Sequence, residues 1–234
     1  MHYDIISFLK NYGFILLYGV ALLISILRYP KFFDSVLKYF PIIIGYTFLT
    51  EILGDYIRKN ENFRIIFMDE HSVNNSVIFN LFDIVFYVYF FFVFWKTLKS
   101  KKHKNLVKYG SLLFLATCLI NPFFQDFVLY PQIYAITVGS IVLILCILLY
   151  FKQLKENKNG LPNLNNLLFW VALGLLVFYL AYPFLIIIGL SYSEIYTRFN
   201  VRLIHQLLIC VMYICFIIGF LKMRRMKPLQ EESM

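Results

Sequence analysis

NSVIFNLFDIVFYVYFFFVFW, residues 75–95, carries a single charged side chain, Asp83, in an otherwise unbroken apolar run. A helix rises about 1.5 Å per residue, so about 20 residues cover the ~30 Å hydrocarbon layer of a bilayer. Strands of a membrane barrel read as short alternating segments, whereas this run is continuous, so it reads as a transmembrane helix. Blocks of the same kind lie on either side: 8–27 and 35–57 before it, then 106–124, 131–151, 165–190 and 199–221 after it. The pattern predicts an all-α polytopic protein, a seven-transmembrane helix bundle forming one domain over 1–234, with a short basic tail at 222–234.

The punctuation between blocks fits this division. Arg28, Tyr29 and Pro30 close the first block, and the polar stretch 58–62 follows the second, before a short apolar patch at 63–68. Pro131 and Pro162 sit at or before predicted helix starts, where proline is tolerated; Pro122 distorts the end of the fourth helix, and Pro183 predicts a kink in the sixth. No internal repeat is visible, which weakens the inverted-repeat architecture of many transporters. Asp4 and Lys10 near the N-terminus, with no small-residue cleavage site, argue against a cleaved signal peptide.

The composition agrees: 61% of the 234 residues are hydrophobic and only 15% charged, against roughly a quarter charged in a soluble domain. The 20% aromatic content matches the amino-acid bias of an AT-rich genome and carries no mechanism by itself. The run at 87–95 is read as lipid-facing, with its end anchored at the interface. All four cysteines, Cys118, Cys146, Cys210 and Cys215, fall inside apolar blocks and read as small buried hydrophobes. Ala135 and Gly139 give a small-residue spacing on the fifth helix too weak to define an oligomer.

The net charge of +9 would suggest nucleic acid on a soluble domain, but here the basic residues lie between the blocks, so no nucleic-acid partner is expected. Sixteen of the 22 Lys and Arg residues fall on one side of a seven-span chain: Arg28, Lys31, Lys38, the cluster Lys96 to Lys108, Lys152, Lys155, Lys158 and the tail. Lys10, Arg58, Lys59, Arg64, Arg198 and Arg202 fall on the other. That asymmetry predicts the N-terminus outside and the C-terminus in the cytoplasm of a cell inner membrane.

Ionisable groups within membrane helices cost about 2.5–3.5 kcal/mol each on insertion scales, so each needs a reason. Thr47, Glu51 and Asp55 stand at i, i+4 and i+8; Ser76, Asn80, Asp83 and Tyr87 share another face. Thr117, Asn121 and Gln125 mark the fourth helix; Arg202, His205 and Gln206 mark the last. With the orientation above, Glu51, Asp55, Asn80, Asp83, Asn121, Gln125, Arg202 and His205 lie in the outer halves of their helices while the inner halves are almost purely apolar. These positions predict an outward-facing polar cavity for a small ligand or ion, lined by Glu51, Asp55, Asn80, Asp83, Asn121, Arg202, His205 and Gln206, with Arg202 and His205 offsetting the carboxylates. The alternative is that Asp55 and Arg202 are solvated helix ends and that Asn80, Asn121 and Gln206 are interhelical hydrogen-bond contacts.

Several familiar chemistries are excluded. A retinal Schiff base needs a lysine in the middle of the last helix, and Lys222 stands at its end. A three-histidine zinc site fails because only His205 is intramembrane; a carboxylate-rich metal site using Glu51, Asp55, Asp83 and His205 stays open. Phosphate-binding glycine loops, nucleophile elbows and kinase signatures are missing, and no cofactor is implied.

The segments TFLTEILGDY, NNSVIFNLFDIVFYVYFFF, LLFWVALGLLVFYLAYPFLI and the terminal GFLKMRR resemble an uncharacterised family of small multi-pass membrane proteins from Bacteroidota. The likeness rests on hydrophobic patterning with Glu51, Asn75, Asn80 and Trp170, and it implies location and topology rather than chemistry. The preferred expectation is a receptor-like or sensory component, partnered by the lipid bilayer and by a cytoplasmic or membrane signalling protein. A membrane-embedded enzyme acting on a lipid or amphiphile is the alternative, and a small transporter the third reading.

Overall fold

The computed structural model describes residues 2–59, 76–156 and 164–226, and among them there are helices and turns but no strand. The helices are α1 (His2–Arg28), α2 (Phe40–Lys59), α3 (Ser76–Thr97), α4 (Lys101–Ile120), α5 (Ile133–Glu156), α6 (Leu167–Ser191), a short α7 (Ser193–Arg198) and α8 (Val201–Lys222). Seven of them are long and apolar enough to cross a membrane; α7 is the exception. Side chains that a water-soluble surface would not tolerate, such as Leu27, Leu119, Phe123, Phe184 and Leu207, are exposed around the outside, which suits contact with acyl chains.

Several boundaries differ from the sequence expectation, each for a local reason. Helix α2 begins at Phe40 rather than at 35, because the Ser35 hydroxyl donates to the Phe32 carbonyl at 2.8 Å and accepts from the Leu37 amide at 3.2 Å. That turn competes with helix. Helix α4 starts at Lys101 rather than at 106; lysine is a good helix former whose stem lies along apolar surface while its ammonium reaches water. The fifth and sixth helices begin two residues late, at Ile133 and Leu167, and α6 runs through Pro183 to Ser191. The last begins at Val201, because Asn200 takes the left-handed conformation (φ 47°) and separates it from α7. The 63–68 patch and residues 227–234 of the tail lie outside the described residues.

Consecutive long helices pack on one another, α1 also packs on α8 and α3 on α5. Contacts at one end tie the basic residues together. The Arg224 amide donates to the Asn165 carbonyl, the Met226 amide to the Lys31 carbonyl, and Arg225 pairs with Asp34 at 3.5 Å. Gln153 bridges the end of α3, accepting from the Lys99 amide and donating to the Thr97 carbonyl. Together these contacts form the basic end of the bundle.

The aromatic run on α3 is not mainly lipid-facing as expected. Tyr87, Phe90, Phe91 and Phe94 are buried, Tyr89 nearly so, and only Val88 and Phe92 turn outward. The run is the middle of the core: Phe90 meets Phe40 edge-on, and Phe40 in turn contacts Phe216 and Phe220 of α8. Trp95 does keep an interfacial character, with the ammonium groups of Lys96 and Lys104 over its ring.

Glycine sets the closest approaches. A Cβ on Gly174 of α6 would lie 2.9 Å from the Met212 carbonyl oxygen of α8, and one on Gly219 would lie 2.8 Å from Trp170 Cβ. Gly139 faces inward against Phe114 and Tyr87, so it is used within the chain. In lipid, helix association depends on such close packing. Gly174→Val is expected to lower stability by about 1–3 kcal/mol, whereas Gly13→Ala, with no neighbour within 4 Å, is expected to be neutral; thermal unfolding in detergent reads the difference.

Candidate functional site

Glu51 stands one turn beyond Thr47 on α2. The Thr47 hydroxyl returns to the Ile43 carbonyl at 2.9 Å, so Glu51 takes its partner from another helix. Tyr18 of α1 donates its phenol to Glu51 Oε1 at 3.4 Å, and the Tyr18 ring meets Tyr213 of α8 edge-on with centroids 4.3 Å apart. On α3, Asp83 is 8% exposed and accepts from the Tyr182 phenol of α6 at 3.5 Å. Both contacts are longer than the roughly 2.5–3.0 Å of a well-formed O–H···O bond. They orient the carboxylates without closing them off.

Tyr182 is the hub. Its hydroxyl lies within Coulombic reach of both Asp83 and Glu51. Its ring stacks on the His205 imidazole at 5.7 Å and 19°, with Phe178 against both rings. Of the three residues singled out from sequence, Asp83 and His205 therefore meet through Tyr182, while Glu51 is bonded to Tyr18 and reaches Tyr182 only through its charge. Tyr18, Tyr179, Tyr182 and Tyr213 are the members that sequence reasoning missed. The available signal was Tyr179 and Tyr182 at i, i+3 on the sixth helix, a spacing that puts both phenols on one face.

Asn80 and Asn121 do different work. Asn80 Nδ2 donates to the Phe127 and Tyr130 carbonyls at 2.7 and 2.9 Å, and its Oδ1 accepts from the Gln132 amide. Asn121 Oδ1 accepts from the Ala135 amide and Gln125 Oε1 from the Ile133 amide. Gln132 Nε2 reaches the carbonyls of Gln125, Asp126 and Tyr130. The first amides of a helix have no partner within it; those of Ile133 and Ala135 in α5 are met by amide side chains from the segment after α4, and Asn80 of α3 meets the Gln132 amide just before the helix. These asparagines hold the scaffold, as the hydrogen-bond alternative has it. Gln132 was not singled out, although an amide beside Pro131 at a helix start was visible.

The remaining positions separate. Arg202 is exposed on α8 and forms no ion pair among the described residues, so it does not offset Glu51, Asp55 or Asp83. Asp55 and Gln206 are half-buried on α2 and α8. Among the described residues no three or more His, Cys, Asp and Glu side chains gather to hold a metal ion. A small cavity of ≈ 10 Å³ lies beside Asp83, Tyr87 and Gln132. An open groove of ≈ 310 Å³ runs between Thr117, Ile120, Asn121, Phe124 and Tyr134 on the outer surface of α4 and α5. Spacing along a helix reports which residues share a face, not what that face meets.

Comparison of the chain with family models, with curated proteins and with solved structures finds no match.

Asn80→Ala removes one acceptor and both donors to the turn, and is expected to cost about 1–3 kcal/mol in thermal or denaturant unfolding. Arg202→Ala is expected to change stability by less than about 0.5 kcal/mol.

Proposed function

We propose that this chain is a receptor-like, sensory component of the cell inner membrane, with its N-terminus outside and its C-terminus in the cytoplasm. It responds to a small ion or a proton at the Glu51–Tyr182–Asp83 cluster. The supporting observation is Asp83: a carboxylate 8% exposed on a membrane helix, held by one long phenol contact and paired with no cation among the described residues. A buried charge in a membrane helix is costly and marks an ion or proton site by default. The titratable groups facing it are Tyr87 of α3, Cys118 of α4, and Tyr179 and Tyr182 of α6. Glu51 of α2 faces the same Tyr182 phenol, and α5 presents no titratable side chain there among the described residues.

The rest of the molecule favours response over conduction. Between the cluster and the basic end lie the rings of Phe86, Phe90, Phe40 and Phe220, which offer no polar path. The basic residues of that end, Lys96 to Lys108 above all, suit an anionic lipid surface or an acidic signalling partner in the cytoplasm. Kinship with the Bacteroidota multi-pass family belongs to the same proposal.

Both tryptophans, Trp95 and Trp170, sit at the basic end, remote from the cluster. Protein reconstituted in vesicles and titrated from mildly alkaline to mildly acidic is expected to shift its tryptophan emission. Asp83→Asn, shown folded by circular dichroism, is expected to flatten the titration. A wild-type emission that stays constant over the range, or net passage of solute into the vesicles, would count against the sensory reading. For the orientation, a fluorescent protein fused after residue 226 is expected to mature, and a periplasm-dependent phosphatase at the same position is expected to stay inactive.

A further inference from the structure

Asn80, Asp83, Tyr87 and Gln132 line the small cavity between α3, α4 and α5, and each is more than nine-tenths buried, at 3%, 8%, 0% and 4% exposure. Apart from the Cys118 thiol, the rest of the wall is apolar. At ≈ 10 Å³ the space holds about one water-sized occupant.

The polar atoms of the wall are almost all accounted for. Asn80 spends both amide donors on the Phe127 and Tyr130 carbonyls, and its oxygen accepts from the Gln132 amide. Gln132 Nε2 is turned toward three carbonyls of the preceding segment, which fixes the amide's orientation, and Gln132 Oε1 has no partner among the described residues. Tyr87 is bonded to Ser140 Oγ at 2.7 Å and to the Ile136 carbonyl at 3.2 Å, so its phenol proton is directed away and its oxygen keeps a lone pair. Asp83 has its one long phenol contact and no ion pair. The wall thus offers one carboxylate charge, an unpartnered carbonyl oxygen and two further oxygens, with the weak Cys118 thiol as its one spare donor.

Three occupants can be compared on that account. A water molecule would donate to the carboxylate and to Gln132, yet it leaves a charge uncompensated where the dielectric is low. A divalent cation would overcompensate a single carboxylate, and the larger ones demand about six or more oxygen ligands. A monovalent cation balances the charge and satisfies the oxygens together. Oxygen donors suit hard cations, and a space for one water favours sodium, the smaller of the common alkali ions, over potassium. We infer that the cavity is a binding site for one sodium ion, held by the Asp83 carboxylate and Gln132 Oε1, with the Tyr87 and Asn80 oxygens completing the shell. The inference deepens the sensory reading by naming its ligand, and it rests on that reading only for what binding is for.

The test is thermal unfolding of the purified full chain in detergent, in the chlorides of sodium, potassium and choline at equal ionic strength. Sodium is expected to raise Tm over choline, by about 3–6 °C for each tenfold increase above its Kd, with potassium weaker. Asp83→Asn is expected to abolish the shift. Gln132→Met, which keeps the wall filled but removes the oxygen, is expected to move the response to higher sodium concentration. Equal Tm in the three salts for the wild-type protein overturns the site, and so does an undiminished sodium shift in Asp83→Asn; the wild-type comparison stands whether or not a variant folds. A flat salt response beside an intact pH-dependent emission change removes the sodium site alone. A sodium shift beside constant emission removes the sensory reading alone.

Discussion

Asn80 reaches across from α3 to the carbonyls of Phe127 and Tyr130, and the geometry of the candidate site follows from that reach. The first amides of a helix have no partner within it, and a buried one left unmet costs about 1–3 kcal/mol. The α4–α5 connection meets this demand with side-chain amides, one of them borrowed from α3. Once Asn80 is clamped, the register of α3 against α5 is set. Tyr87, two turns further along the same face, then falls on Ile136 and Ser140. Asp83 lies between the two clamps and cannot turn outward. Its burial is imposed by its neighbours.

A second constraint positions the other side of the cluster. Helices α6 and α8 approach until a Cβ at Gly174 or Gly219 would collide with the facing helix. Tyr179 and Tyr182 of α6 and His205 and Tyr213 of α8 are therefore carried on a closely coupled pair. Tyr182 stacks on His205 and reaches Asp83 on α3, so the phenol is held from behind by packing and in front by a single weak contact. That asymmetry leaves the carboxylate more responsive to what occupies the space beside it than a short, fully satisfied hydrogen bond would.

Much of this was open to inspection in the sequence. Continuous apolar length is a one-dimensional property, so seven spans and the gathering of basic residues follow directly from it. The positions Glu51, Asp83 and His205 were also visible, because a charge in an apolar run stands out against its background. The tyrosines were not, since a chain with 18 of them offers no background against which four are unusual. The Tyr87–Phe94 run was misassigned for a related reason: an all-round apolar helix has no moment to say which face meets lipid. Arg202 was grouped with the carboxylates through shared depth, but depth leaves the azimuth around the helix undetermined, and Arg202 faces outward. Boundaries such as the start of α2 depended on Ser35 bonding its own neighbours, which hydropathy does not register.

The contrast between sensing and conduction turns on what joins the cluster to the basic end. Conduction needs a continuous polar route. The connection here is a run of rings in van der Waals contact, from Tyr182 through Tyr179, Phe86, Phe90 and Phe40 to Phe220, Phe32 and Tyr29, with successive centroids 4.8–5.9 Å apart. Such a run excludes water and ions, yet it is dense and shaped, and close-packed interiors transmit small displacements rather than absorb them. Contiguity alone does not make a signal; coupling requires an element with two arrangements whose balance the bound species shifts. The long phenol contact to Asp83 supplies the candidate element. If the carboxylate gains a proton or a cation, the reason for Tyr182 to face it weakens, and the rings packed against it are those of His205, Phe178 and Tyr179. On the proposed reading, a site that small acts at a distance by moving the aromatic core, whose first ring, Tyr182, is the one that contacts Asp83.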